Sequence, residues 1–296
     1  MDMSIIRVLP SFPGGKLKAF TMSYDDGVRQ DERLISLMEK YGLKGTFNLN
    51  SGYFYGGLGE NEMPQTDKEE ILKRYDRDFI EVSTHTVTHP LPSELSEALF
   101  IKELIKDRSR IEELFGRIVT GHAYPSGQIR QDAPELLKKL GFSYARGVKV
   151  THSFALPDNI YSWCGTCRNI DEKLFELCDE FLSGAPNSTE DPWLFYLWGH
   201  SYEFDGPDNW ERIEKFLKKI GGHDDVWYAT NGEVADYLRD FGRLEFSADG
   251  RSVYNPTASD ICVRVTTREN GHFCDLSFCV PSGSTTGLDY SKAVII

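Results

Sequence analysis

The sequence predicts an α/β fold: an incomplete (β/α) barrel over residues 1–242 and a small β-rich appendage over residues 243–296. Three observations predict it. Short β-type runs alternate with longer helical patterns, and strands joined through helices run parallel in one sheet. About seven such units are present, which favours a barrel over an open doubly wound sheet, though the alternation alone also allows the sheet. After Asp240 the alternation stops, and no long helical pattern follows.

The β-type runs fall at 18–24, 45–50, 79–84, 121–124, 142–146, 193–198 and 226–230. They are short, carry aromatic and β-branched residues, and are bounded by turn residues. Helical patterns occupy 31–40, 68–75, 93–115, 133–140, 172–182, 210–220 and 234–241. In the long 93–115 pattern, Leu104, Ile111 and Phe115 recur at helical spacing. Glu94 and Glu97 lie in its first turn, where the helix dipole favours negative charge. Gly42, Gly116, Gly141 and Gly221 fall just past helix ends, where a left-handed cap favours glycine. Beyond residue 243, the runs 261–265 and 273–277 read as strands of a small sheet.

Composition narrows the function. Against 33 Lys and Arg stand 46 Asp and Glu, a net charge of −13. That excess disfavours a nucleic-acid groove or an anionic membrane surface as partner. No run approaches the ~20 apolar residues that span a bilayer. Arg7 follows the first apolar residues instead of preceding an apolar run, so no secretory signal is read. A cytoplasmic location and reduced thiols are therefore expected for the six cysteines. Cys164-Gly165-Thr166-Cys167 has zinc-ribbon or redox spacing, but no second pair stands near it.

In a parallel barrel, chemistry gathers at the carboxyl ends of the strands. Asp25-Asp26-Gly27 follows the first strand, His85-Thr86-Val87-Thr88-His89-Pro90 the third and Tyr124-Pro125-Ser126-Gly127 the fourth. Arg146 ends the fifth and His200 the sixth. Carboxylates, imidazoles and a guanidinium thus converge on one face. Asp-Asp-Gly is also a common turn sequence. At such a turn both carboxylates reach one site if a cation offsets their repulsion. His85 and His89, four apart, can face one divalent ion, and Pro90 places them on a strand-end turn rather than a helix. Two imidazoles and one carboxylate leave coordination positions open, the pattern of a catalytic metal. Zn2+ suits that set, with Co2+, Mn2+, Ni2+ or Fe2+ as alternatives. His200 reads either as a core histidine or as a general acid that titrates near neutral pH.

Four segments together, Thr21-Met22-Ser23-Tyr24-Asp25-Asp26-Gly27, His85-Thr86-Val87-Thr88-His89, Pro125-Ser126-Gly127 and Trp198-Gly199-His200, resemble the polysaccharide deacetylases with the NodB homology domain, carbohydrate esterase family 4. The resemblance covers about residues 15–240. It implies a distorted (β/α)7 barrel, a divalent metal, and hydrolysis of an N-acetyl or O-acetyl group on a sugar polymer. It also implies Asp25 as general base, Asp26, His85 and His89 as metal ligands, and His200 as general acid. Three positions depart from the family. Ala123 stands where its third motif begins with an arginine, and Arg146 is expected to supply that guanidinium. The acid-tuning Asp-Trp pair is represented only by Asp158 and Trp163. Trp198 replaces a small aliphatic residue of the acetyl pocket. Tyr124, Pro125, Ser126, Trp163 and Trp198 are the expected substrate contacts. The expected partner is an acetylated sugar or a small amide. Two rivals remain: an amidase acting on a small N-acyl or cyclic amide, and an inactive sugar-binding barrel using aromatic residues such as Tyr202 and Trp210.

Overall fold

The structure is a computed structural model that describes residues 5–55, 67–206, 209–269 and 272–295. The chain runs β1 (Ile5–Ser11), β2 (Lys18–Asp25), α1 (Asp31–Lys40), β3 (Gly45–Leu49), α2 (Gly52–Tyr55), α3 (Lys68–Tyr75), β4 (Ile80–Thr84) and α4 (Glu97–Phe115). It continues through β5 (Gly121–Ala123), α5 (Ala133–Lys139), β6 (Tyr144–Val150), β7 (Trp163–Gly165), β8 (Cys167–Arg168), α6 (Leu174–Ser183), β9 (Trp193–Gly199), α7 (Asn209–Ile220), β10 (Val226–Tyr228) and α8 (Asn231–Phe241).

Strands β2 to β9 pair in parallel in chain order, and β9 returns to β2. β7 pairs with β6 and β8 with β9, while only Thr166 separates the two. One extended segment therefore closes the sheet into a ring, and the Thr166 amide donates to the Tyr196 carbonyl at 2.8 Å across the seam. The result is the expected distorted barrel, closed by a segment the sequence reading left outside the strands. The expected last strand, β10, pairs only with β2 at Lys18–Phe20, below the point where β3 joins β2.

Alternation along each strand sorts the side chains. Phe20, Met22 and Tyr24 of β2 are buried in one apolar cluster with Leu34 and Met38 of α1. Thr21, Ser23 and Asp25 bond to Asn231, Asn48 and Arg146 on the barrel's inner side. Lower down, Trp163 meets Tyr144 and Tyr196 edge-on, with centroids 5.8 and 4.8 Å away. Glu81 accepts there from Thr46 Oγ1, Tyr144 OH and the Gly232 amide at 2.7–2.9 Å. This packed floor leaves the carboxyl ends of the strands as the place for a site.

Helix boundaries follow local chemistry. Pro92–Glu94 forms a separate 3-10 turn, so α4 begins only at Glu97, capped by Ser96. It ends at Gly116, whose φ of 64° is the left-handed region glycine enters at low cost. After α7 the left-handed residue is Gly222, not the expected Gly221. Among the described residues no helix is long and apolar enough to cross a membrane.

The C-terminal segment holds β11 (Glu245–Phe246), β12 (Ser252–Tyr254), β13 (Ile261–Glu269), β14 (His272–Val280), β15 (Thr285–Gly287) and β16 (Val294–Ile295). β1, unrecognised in the sequence, joins it: one antiparallel sheet has the order β1-β13-β14-β16. Cys262 and Cys279 are direct partners across β13 and β14 and form a disulfide. The expectation of six reduced thiols fails at this pair, because register brings together two residues that spacing did not connect. Cys164, Cys167, Cys178 and Cys274 are free thiols.

Candidate active site

Asp25 ends β2 with 2 % of its surface exposed. Asp26 then takes φ 76° and Gly27 φ 65°. In an extended strand these two carboxylates would face opposite sides. The left-handed turn keeps them together, with Nε2 of His200 3.9 Å from Oδ2 of each. Four of the five non-glycine residues with positive φ among the described residues belong to these strand-end motifs: Asp26, Thr86, His89 and Ser126. Such conformations cost about 1–3 kcal/mol each and cluster at functional sites.

The histidine turn is held from behind by buried acids of α4. Asp107 accepts from the amides of Ser51 and His85 at 2.8 and 3.0 Å. Glu103 accepts from the amide and hydroxyl of Thr88 at 3.0 and 2.9 Å. Burial pushes the Asp107 carboxyl up to about 7. Asn50 Nδ2 donates to the carbonyls of His85 and Thr86 at 2.6 and 2.8 Å.

His85 Nδ1 lies 2.7 Å from the Ala123 carbonyl. A carbonyl only accepts, so the ring proton sits on Nδ1, and Nε2 turns its lone pair towards Asp26. Nε2 of His85 and of His89 lie 3.6 and 3.8 Å from Asp26 Oδ1. One ligand atom from each of Asp26, His85 and His89 falls within 4.8 Å of the others. Burial lowers the His85 pKa, which favours the neutral ring a metal binds. The donor set, the fixed tautomer and the compactness fit a divalent cation.

Asp25 Oδ1 accepts from Arg146 Nη2 and from Asn48 Nδ2, the latter at 2.8 Å. Burial alone would raise its pKa, but the charges of Arg146, His85 and His200 outweigh that and hold the carboxyl down at about 2. Arg146 thus reaches Asp25, as expected for a guanidinium displaced from position 123. His200 Nδ1 lies 3.3 Å from Glu203 Oε1, which also accepts from Arg168 Nη2. Burial would lower the His200 pKa; the Glu203 hydrogen bond and the charges of Asp25 and Asp26 raise it instead.

Asn48, Glu203 and Arg168 were not found from the sequence. Glu203, three residues past His200, carried a spacing signal. Arg168 was hidden by the unrecognised β8. The expected substrate contacts divide. Ser126 is exposed on its turn. Pro125 is buried. Tyr124 is buried among Phe100, Leu104 and Leu137, its hydroxyl donating to the Tyr161 carbonyl at 2.9 Å. Trp163 belongs to the barrel floor. Trp198 is 4 % exposed and packs against Arg146 and Arg168. Tyr202, expected only for the inactive sugar-binding barrel, and Tyr53, not singled out in the sequence, are exposed instead. Tyr202 stacks on the His200 ring at 5.0 Å, and partial burial, with the Asp26 charge second, raises the Tyr53 pKa.

The fold is therefore a distorted parallel (β/α) barrel with a candidate metal centre at the carboxyl ends of its strands. Residues 14–145 match the family model described as polysaccharide deacetylase, which bears out the resemblance read from the motifs. The match contains Asp25, Asp26, His85 and His89 and stops short of Arg146 and His200. Among solved structures, a candidate polysaccharide deacetylase from Mycobacterium smegmatis superposes with a TM-score of 0.58 at 17% identity, covering 81% of this chain and 96% of that one. Peptidoglycan deacetylase PdaC from Bacillus subtilis gives a TM-score of 0.47 at 18% identity, covering 76% and 94%. BA3943 from Bacillus anthracis, a pseudoenzyme of carbohydrate esterase family 4, gives 0.47 at 18%, covering 74% and 66%. No curated protein sequence matches the chain.

Proposed function

We propose that the protein is a metal-dependent hydrolase that removes an acetyl group from the nitrogen of an N-acetylated carbohydrate. One observation carries the reading. Asp26, His85 and His89 present three ligand atoms within 4.8 Å of one another, beside a buried carboxylate and a carboxylate-backed imidazole. An inactive sugar-binding barrel has no need of that combination.

Asp26, His85 and His89 would hold the metal, Zn2+ being the best match to their donors. A divalent ion there supplies the charge that acidifies a water and polarises the acyl oxygen. Asp25, kept ionised by Arg146, accepts the proton of the attacking water. His200, with Nδ1 held by Glu203, directs Nε2 into the site and donates a proton to the leaving nitrogen. The main chain of the Pro125–Gly127 turn is the candidate oxyanion contact. Exposed Tyr53 and Tyr202 offer apolar faces to a sugar ring. Trp198, buried between strands, leaves no small aliphatic acetyl pocket at its position, which favours a small N-acyl or cyclic amide as the second reading.

The test is acetate release from N-acetylglucosamine oligomers by chelator-treated protein reloaded with Zn2+, run beside a panel of small N-acyl and cyclic amides. His85→Ala is expected to abolish stoichiometric metal binding and activity together. Full activity in chelator, or no metal uptake by the wild type, refutes the metal-dependent reading. Activity confined to the small amides transfers the assignment to the second reading.

A further inference from the structure

The two proton-handling arms of the site meet at one side chain. On one side, Arg146 holds Asp25. On the other, Arg168 holds Glu203, which accepts from His200 Nδ1. Both guanidiniums rest against the Trp198 indole, their central carbons 5.1 and 5.3 Å from its ring centre. The backbone agrees. Arg168 and Trp198 are direct partners across β8 and β9, and Ser23, two residues before Asp25, is the partner of Trp198 on its other side. Gly165 makes room for the indole, since a Cβ there would lie 2.4 Å from Trp198 Cδ1.

We propose that Trp198, Arg168 and Glu203 are positioning residues that set the orientation of base and acid together: the indole orders both guanidiniums, Arg146 orients Asp25, and Arg168 orients His200 through Glu203. This rests on the hydrolase reading above. A carboxylate accepting from Nδ1 fixes the tautomer and ring plane of His200, so its other nitrogen points at the leaving group. Cation–π contact favours a flat guanidinium over a mobile ammonium at both indole positions. The replacement of a small aliphatic residue by tryptophan thereby gains a purpose other than narrowing a pocket.

A general acid matters for a poor leaving group and little for a good one. Glu203→Ala is therefore assayed on an N-acetylglucosamine oligomer and on 4-nitrophenyl acetate. The amide-to-ester rate ratio is expected to fall about 10–100-fold, the usual cost of losing an outer hydrogen-bond partner. In the metal-free protein, nitrogen-15 NMR of His200 is expected to lose the Nδ1–H tautomer in Glu203→Ala and to recover it in Glu203→Gln, which retains an acceptor oxygen. Trp198→Leu is expected to lower the ester rate as well as the ratio, because it releases both guanidiniums. Equal loss of both rates in Glu203→Ala, an unchanged tautomer, or a Trp198→Leu effect confined to the ratio overturns the proposal. If the wild type cleaves neither substrate, the carbohydrate-deacetylase reading fails, and the NMR spectra still decide the positioning. Should Glu203→Ala not fold, Arg168→Met frees Glu203 from the other side and carries the same readouts.

Discussion

Replacing Arg146 by methionine strands a charge. Arg146 is 0 % exposed and Asp25 2 %, and the guanidinium is the strongest of the charges holding the Asp25 carboxyl down at about 2 against burial. Methionine retains much of the aliphatic stem, so packing changes little while the counter-charge disappears. Removing one partner of a buried pair costs about 3–5 kcal/mol. At roughly 2–4 °C per kcal/mol for a chain of this size, the melting point should drop by about 6–20 °C at neutral pH.

The pH dependence is the stronger test. In the wild type the folded-state pKa of Asp25 lies below its ordinary value of 3.8, so its contribution to stability is present above about pH 4 and lost as the pH falls through 2. Without Arg146, desolvation moves that pKa upward, and Asp25 becomes a liability at neutral pH. The gap between wild type and Arg146→Met should therefore be widest near pH 7 and close towards pH 4. Thermal melts followed by circular dichroism over this range, with chelator present so that no bound cation replaces the guanidinium, measure it directly. On the proposed function, in protein reloaded with Zn2+ kcat should fall by about 10²–10⁴, the usual worth of a proton-transfer step, at unchanged metal content. A melting point within ~2 °C of the wild type at pH 7, or a gap independent of pH, would refute the reasoning.

Gly165→Ala drives a methyl to 2.4 Å from the Trp198 indole. Chemical denaturation should show a loss of about 1–3 kcal/mol, the range for overpacked cores. Asp31 accepts from Ser201 Oγ and Tyr75 OH at 2.5 and 2.6 Å, and burial pushes its pKa from 3.8 up to about 7. A raised acid pKa stabilises below the unfolded value and loses that contribution as pH rises through the folded one. Asp31→Asn should therefore flatten the decline in melting temperature between pH 4 and 7; an unchanged slope would count against this assignment. Protein purified without reductant and then unfolded should titrate as four thiols, because Cys262 and Cys279 are joined. Finding six would remove the disulfide.

Strand-end residues were legible because each lies within a few positions of its own strand, and barrel topology gathers such ends without help from distant sequence. That logic located Asp25, Asp26, His85, His89, Arg146 and His200. It could not locate β7 and β8, whose three- and two-residue pairings surround Gly165 and show no alternation, so Arg168 remained invisible with them. Register explains the departures from the family pattern better than motif spacing does. Ala123 and Arg146 are direct partners on β5 and β6, so the guanidinium missing from one strand arrives from the next at the same height. Adjacent strands lie only ~4.8 Å apart, within the reach of an arginine side chain. The carboxylate facing His200 also comes from outside the expected segment: Trp163 lies on the barrel floor, and Glu203, on the turn that follows β9, meets His200 Nδ1. A barrel site is defined by height and direction at the strand ends, and either neighbour can supply the group. A motif-by-motif comparison therefore records only the alanine at position 123, whereas the folded chain sets Arg146 of the adjacent strand against Asp25.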